Sequence, residues 1–378
     1  MNLRLYISVG KSGRWGHRPR RSAAVCVPTN RKLSYGFIKL RLLQFFVLFF
    51  ITALFLSLDT KPTQSFIQVH FMGFAQGTTW HLTYYAKDTL VTKNQVDSIL
   101  LVIDSSLSIY KPYSRIVAFN NSKTGITIDE HFRKVVEKSL DTYRQTNGFF
   151  DITVLPIVNA WGFGAKPSQN IPDPATIRSL LPCVGSKYLQ LKNNFLSKSK
   201  PCVKIDVNSI AQGYSVDVIA NFLEKNGIKN YIVEVGGELH VHGKKQPENE
   251  PFKIGIEAPS DDEFQSHPIE KILVLDSGAI TTSGNYRKYH ESKGKKFSHL
   301  MDPHTGYSIQ NEMISVTVYA KDAFTADAYD TPLMVMGLKK AMDFVEKRKD
   351  LAAYFIYHLP NGAIADTASS RFYHLIQH

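Results

Sequence analysis

The dodecapeptide "DVNSIAQGYSVD", residues 206–217, decides how this chain is read. It lies between a short extended run, "VKID", which ends at Asp206, and an apolar stripe made of Tyr214, Val218, Ile219, Phe222 and Leu223. The stripe has the period of an amphipathic helix, and Asn226-Gly227 stops it. Asn208 and Ser209 are both residue types that cap helix N-termini. A strand that turns into a helix through a carboxylate, an amide, a hydroxyl and Gly213 has two readings. Either the polar side chains cap the helix, or its free N–H groups and oxygens receive a ligand that bears phosphates.

The same periods recur outward from this stretch. Val96, Ile99, Leu100, Ile103 and Leu107 form one helical stripe. Phe132, Val135, Val136, Leu140 and Tyr143 form another, stopped by Asn147-Gly148, and Leu338, Ala341, Met342 and Val345 form a further one. Between them lie the strand-like runs "YLQL", "FLSKS", "YIVEV", "FKIGIEA", "KILVL", "ISVTVYA" and "AAYFIYH", with Asn193-Asn194 and Asn361-Gly362 suited to hairpin turns. Strands often follow strands rather than alternating with helices. This predicts an α+β fold with mixed, mainly antiparallel sheets and packed helices. Nothing divides residues 69–378 convincingly, so they are expected to form one domain behind a linker at residues 59–68.

The formal charge of +12 invites a nucleic-acid reading, and its position removes it. Residues 1–41 hold ten Lys/Arg and no Asp or Glu, which leaves the rest of the chain at +2. That basic arm runs into "LLQFFVLFFITALFLSL", residues 42–58, which carries no charge. Seventeen residues at helical rise span ~26 Å, the short end for a membrane helix. The expectation is an uncleaved transmembrane anchor, with a cleaved signal or a buried core helix as alternatives. Positive charge before the span places the arm in the cytoplasm and residues 60–378 on the far side. Cys183 and Cys202 are then the one pair able to bridge, or they are two buried thiols.

Four further polar clusters keep company with the opening stretch. "EVGGELHVHG" at 234–243 pairs two glycines after a strand, and "GAITTSGNYRKY" at 278–289 reads as a hydroxyl-rich turn. "SHLMDPHTG" at 298–306 brings His299, Asp302 and His304 around a turn. In "TADAYDTPLMVMG" at 325–337, Asp327 and Thr331 are four apart and share one helical face. Carboxylate, hydroxyl and carbonyl oxygens are the hard donors that Mg2+ takes beside phosphate. Asp327 also reads as a helix cap, with Pro332 placing the helix start near it or kinking the helix there. No GxSxG, Walker lysine loop or spaced GxGxxG is present. The residues alone indicate a globular domain with an Mg2+–phosphate site.

Taken in order, these segments resemble the ApbE family of FAD:protein FMN transferases. The likeness spans roughly residues 70–340 and runs through "GFAQGTTW", "SIYKPYSRIVAFN", "GFFDITVLPIVNAWGFG", "KIDVNSIAQGYSVD", "VEVGGELHVHG", "AITTSGNYRKY", "SHLMDPHTG" and "ADAYDTPLMVMG". It implies two intermingled subdomains around a flavin cleft. It also implies an Mg2+-dependent enzyme that moves the FMN half of FAD onto a threonine or serine of a flavoprotein subunit of a bacterial membrane redox complex. That places the catalytic domain on the periplasmic side of the inner membrane.

By position, the resemblance assigns metal binding to Asp327, Thr331, Ser209 and the carbonyl of Ala211. It puts Gln76, Tyr110, Phe149, Phe150, Asp151, Asp206, Gln212 and His299 at the flavin dinucleotide, with Asp206 and His299 as candidates for the catalytic base. Gln76 replaces the family's common methionine before Gly-Thr. Asn208 and Gln212 stand where many relatives have Gly and Lys or Glu, and the lipoprotein cysteine is missing. Hydrolysis of FAD to FMN and AMP, and a non-catalytic flavin-binding membrane protein, are the alternatives.

Overall fold

A computed structural model of the chain describes residues 66–377, apart from 166, 168–170, 259–268, 286–288 and 293–294. The basic arm and the expected anchor at 42–58 lie outside the described residues.

Element order starts with the hairpin β1 (Ile67–Ala75) and β2 (Thr78–Ala86), then α1 (Lys93–Leu107), α2 (Arg115–Asn121), β3 (Gly125–Thr127) and α3 (Glu130–Gln145). Next come α4 (Leu155–Ala160), α5 (Pro174–Leu180), β4 (Leu189–Lys192), β5 (Phe195–Lys198) and α6 (Ala211–Lys225). The strands β6 (Tyr231–Val235), β7 (Glu238–His242), β8 (Phe252–Glu257), β9 (Ile269–Leu275), β10 (Ser277–Gly284), β11 (Tyr289–Ser292), β12 (Lys295–Ser298) and β13 (Met313–Ala320) follow. The chain continues with α7 (Ala323–Met336), α8 (Leu338–Glu346), β14 (Leu351–His358) and β15 (Ile364–Ala368). β1 begins at Ile67, inside the expected linker at 59–68.

An eight-stranded antiparallel sheet in the order β1-β2-β6-β7-β10-β13-β14-β15 organises the domain. Its central strands are apolar on both sides because both faces are covered. Along β14, Leu351, Ala353 and Phe355 enter the core shared with α3, α7 and α8, while Ala352, Tyr354 and Ile356 face the β8–β9 ribbon. Trp80, Leu82, Tyr84, Val216, Ile219 and Leu223 seal α1 and α6 onto the β1–β2–β6 end. The fold is thus α+β with antiparallel sheets, as the strand-rich pattern predicts.

The four helical stripes are present, and so are the seven strand runs. Asn193 adopts φ 53 in the two-residue β4–β5 loop, and Gly362 adopts φ 84 between β14 and β15. Other local expectations change. "VKID" forms no strand; Lys204 makes an isolated parallel bridge to Val154. Neither Asn208 nor Ser209 caps α6, whose N-cap position is Ile210 with no side-chain bond. Asp206 Oδ1 instead accepts the Asn208 N–H at 2.8 Å, closing a turn on itself. Thr281, Thr282 and Ser283 lie within β10 rather than in a turn, in register with Val318, Thr317 and Val316 of β13. α7 begins at Ala323, capped by Asp322, and runs through Pro332, so Asp327 sits inside the helix.

Cys183 and Cys202 form a disulfide that ties the turn after α5 to the loop following β5.

Candidate active site

The site forms where the first turn of α6 meets the middle of α7. Gly213 N–H donates to Asp327 Oδ2 at 2.8 Å. A Cβ at 213 would lie 2.4 Å from Ala323 O and 2.5 Å from Asp327 Cβ, so only glycine lets the two helices approach this closely. Asp327 is thereby fixed two residues from Ala211, joining the segments the sequence pairs as a metal site. At the other end of the opening stretch, Asp217 accepts Ala323 N–H at 3.0 Å and Phe324 N–H at 2.8 Å. The dodecapeptide therefore caps a helix after all, but the helix is α7.

Three carboxylates gather here. Asp327 and Asp330 on α7 and Glu238 on β7 are 4%, 3% and 6% exposed. Burial pushes Asp327 up to about 7 against the opposing Gly213 N–H. Burial, then repulsion from Asp327, holds Asp330 well above the usual carboxylate range. Burial, then repulsion from Asp327 and Asp330, does the same to Glu238. Glu238 Oε2 is buried without a hydrogen-bond partner. Buried acids that repel one another are expensive unless a cation or protons neutralise them. Thr331, one turn beyond Asp327, donates to Asp330 Oδ1 at 3.2 Å.

The mouth of α6 carries further expected residues. Gln76, in the β1–β2 turn at φ 53, donates Nε2 to Ser215 Oγ at 2.7 Å; Ser215 Oγ donates to Ala211 O at 2.8 Å. The Ala211 carbonyl is thus linked to Gln76, whose Oε1 is buried and unpartnered. Gln212 lies against the β6–β7 turn, its Nε2 being 2.4 Å from where a Cβ on Gly236 would stand. Tyr110 is 57% exposed, and its hydroxyl accepts from Asn208 Nδ2 at 3.4 Å. Burial raises Asp206 to about 6, opposed by the Asn208 N–H.

Other expected residues stand differently. Phe150 is 2% exposed and belongs to the main core. Asp151 Oδ1 accepts from Thr153 N, Thr153 Oγ1 and Ser186 Oγ, and Oδ2 accepts from Ser186 N, so its carboxylate is consumed in ordering a loop. Phe149 is half-buried against His304 at 4.9 Å, with Lys340 Nζ 5.5 Å from its ring centre. His299 packs edge-on to Phe163 at 6.3 Å.

Glu238, Asp330, Asp217 and Asn120 were not singled out by sequence reasoning. Asn120 pins the approach to Asp206 by donating to Ile205 O at 2.9 Å and accepting Ile205 N–H at 2.7 Å. A charged residue opening the apolar strand "ELHVH", and a second acid three positions after Asp327, were signals available for the first two.

Comparison with known proteins identifies the family of the fold. The model of the ApbE family matches residues 76–355. The FAD:protein FMN transferase of Haemophilus influenzae is 36% identical over 311 residues, covering 79% of this chain and 89% of that protein. The corresponding protein of Escherichia coli K12 is 35% identical over 294 residues, covering 75% and 82%. The solved flavin transferase ApbE from Vibrio cholerae superposes with a TM-score of 0.74 at 33% identity, covering 82% of this chain and 99% of that one. Flavinyl transferase ApbE of Pseudomonas stutzeri in its apo form gives 0.74 at 32%, covering 82% and 97%. With its fold and most of its length matched, this chain belongs to the ApbE family.

Proposed function

We propose that the chain moves the FMN moiety of FAD onto a threonine or serine hydroxyl of a flavoprotein acceptor and releases AMP. The contact that carries this reading is Gly213 N–H to Asp327 Oδ2, which brings the α7 carboxylate to the segment holding Ser209 and Ala211. Asp327, Thr331, Ser209 and the Ala211 carbonyl would supply hard oxygen donors; among the described residues no three His, Cys, Asp or Glu side chains cluster as metal ligands, so the site draws on hydroxyl and carbonyl oxygens, and the buried, unpartnered Glu238 Oε2 favours a nearby positive charge. Mg2+, when bound there, would act as a Lewis acid that neutralises charge on the diphosphate oxygens.

The chain's own residues orient the substrates and handle the proton. Tyr110 offers an exposed aromatic face for the flavin ring, and Gln76 and Gln212 line the mouth of α6. The acceptor oxygen bonds to the FMN phosphorus, the bond from that phosphorus to the bridging oxygen breaks, and AMP leaves with that oxygen. The hydroxyl proton passes to a base. Asp206, at about 6, is ionised at neutral pH and suits that task, with His299 as the second candidate.

The apolar run at 42–58 anchors the chain in the bacterial inner membrane with its catalytic domain in the periplasm. The Cys183–Cys202 disulfide supports an oxidising compartment for the domain. The acceptor is then a periplasm-facing flavoprotein subunit of a membrane redox complex.

The test incubates the protein with FAD, Mg2+ and a candidate acceptor. Flavin fluorescence that survives a denaturing gel, matched by released AMP, supports transfer. Free FMN without labelled protein would assign hydrolysis instead, and no FAD turnover with any acceptor would overturn the reading.

A further inference from the structure

The β6–β7 turn is held from outside the site. Glu234, 1% exposed on β6, accepts Gly237 N–H on Oε1 at 2.6 Å and meets His81 Nδ1 through Oε2 at 2.6 Å. Gly236 N–H donates to Thr79 O at 3.1 Å. Gly236 and Gly237 adopt φ 68 and φ 111, a region glycine enters without steric cost, so the turn takes its shape from these tethers. What the turn touches is the site: its backbone abuts Gln212 and Thr78, and it leads directly into Glu238.

We propose that Glu234, gripped by His81, is a positioning residue for FAD: it holds the Gly236-Gly237 turn against Gln212 and so shapes the mouth of α6. The proposal rests on the reading of that mouth as the FAD site. Among the described residues, Glu234 from β6 and His70 from β1 face His81, and the His70 ring stacks on it at 6.4 Å while bonding Thr83 Oγ1 at 3.0 Å. The Glu234 hydrogen bond raises the His81 pKa against partial burial, whereas burial and then His81 itself lower that of His70. The charged pair is therefore complete below the titration of His81 and loosens as pH rises through it.

FAD affinity of the full chain, measured by fluorescence titration across pH, tests this together with steady-state kinetics on Glu234→Ala, Glu234→Gln and His81→Asn. His81 is partly exposed, so its variant is expected to keep the fold, which its melting curve checks. Glu234→Ala and His81→Asn are expected to weaken FAD binding about tenfold while kcat at saturating FAD changes less than about threefold. Glu234→Gln keeps an acceptor for Gly237 N–H and should stay within about threefold of the parent at the pH where the parent binds best. The parent's affinity should fall as His81 deprotonates, and both Glu234→Gln and His81→Asn should flatten that dependence. Unchanged FAD affinity in Glu234→Ala and His81→Asn, with only a lowered melting temperature, would overturn the positioning role and leave the site reading standing. A parent protein that binds no FAD would overturn the site reading itself.

Discussion

Gly213 N–H and Asp327 Oδ2 stand 2.8 Å apart, so the first turn of α6 and the middle of α7 share one hydrogen bond. This bond does two things. It orients the carboxylate toward the α6 mouth, and it requires a residue without a side chain on the donor helix.

Gly213→Ala therefore tests both. Its Cβ would meet the Ala323 carbonyl at 2.4 Å, a backbone atom that cannot swing aside. Separating α6 from α7 should cost about 1–3 kcal/mol in denaturant unfolding, well beyond the small gain alanine brings to a helix. FMN transfer should fall more than stability does, because the carboxylate moves. A variant as stable and active as the parent would show that the contact is looser than 2.8 Å implies.

Asp327→Asn keeps the shape and removes the charge. Transfer and AMP release should drop by about two orders of magnitude or more while the protein stays folded. The metal-free parent should also respond to pH in a defined direction. Asp327, raised from 3.8 to about 7, retains its proton in the folded state where the unfolded chain has lost it. Stability should therefore decline as pH rises between those values, and Asp206, raised to about 6, contributes in the same sense. The Asn variant should show a shallower decline when melting is followed in chelator. Identical slopes would remove Asp327 as the source.

Much of this architecture was legible because local pattern and tertiary burial agree. The stripes from Val96 to Leu107 and from Phe132 to Leu140 bury the faces they predict, and the apolar runs in β13 and β14 become central strands. The pairing of Asp327 with the 209–213 segment was readable through motif resemblance. The resemblance alone puts Phe150 and Asp151 at the flavin, and sequence cannot tell an aromatic facing a cleft from one packed in the core, where Phe150 lies. Nor can it tell a free carboxylate from one saturated by Ser186 and Thr153. Glu238 and Asp330 became visible only once β7 and α7 were brought together, since their shared burial is a property of the packing.

Reducing the Cys183–Cys202 bridge, or replacing Cys202 with serine, should destabilise the domain by about 3 kcal/mol, the loss expected for a loop of this length. Melting with and without reductant measures it. Two free thiols in the native protein, found by mass after alkylation, would contradict the bridge and weaken the periplasmic assignment.

Asp217 offers the sharpest separation of scaffold from chemistry. Its two oxygens accept Ala323 and Phe324 N–H, and Asp322 accepts Thr325 N–H at 2.8 Å, so the opening turn of α7 is satisfied by two aspartates from different places in the chain. His240 Nδ1 holds Asp217 Oδ1 at 2.8 Å and fixes its rotamer. Asp217→Ala leaves two N–H groups without acceptors, one buried and one partly buried, and removes a negative charge from a helix N-terminus. The expected cost is about 2 kcal/mol, and Asp217→Asn, which keeps one acceptor, should lose roughly half of that. Asp327 lies only one turn further along α7. Fraying there should lower kcat for FMN transfer by about tenfold while leaving Tyr110, and hence most flavin affinity, in place. If Asp217→Ala unfolds at the parent's denaturant midpoint, α7 is held by its apolar face alone, and the clasp from α6 contributes nothing to placing Asp327.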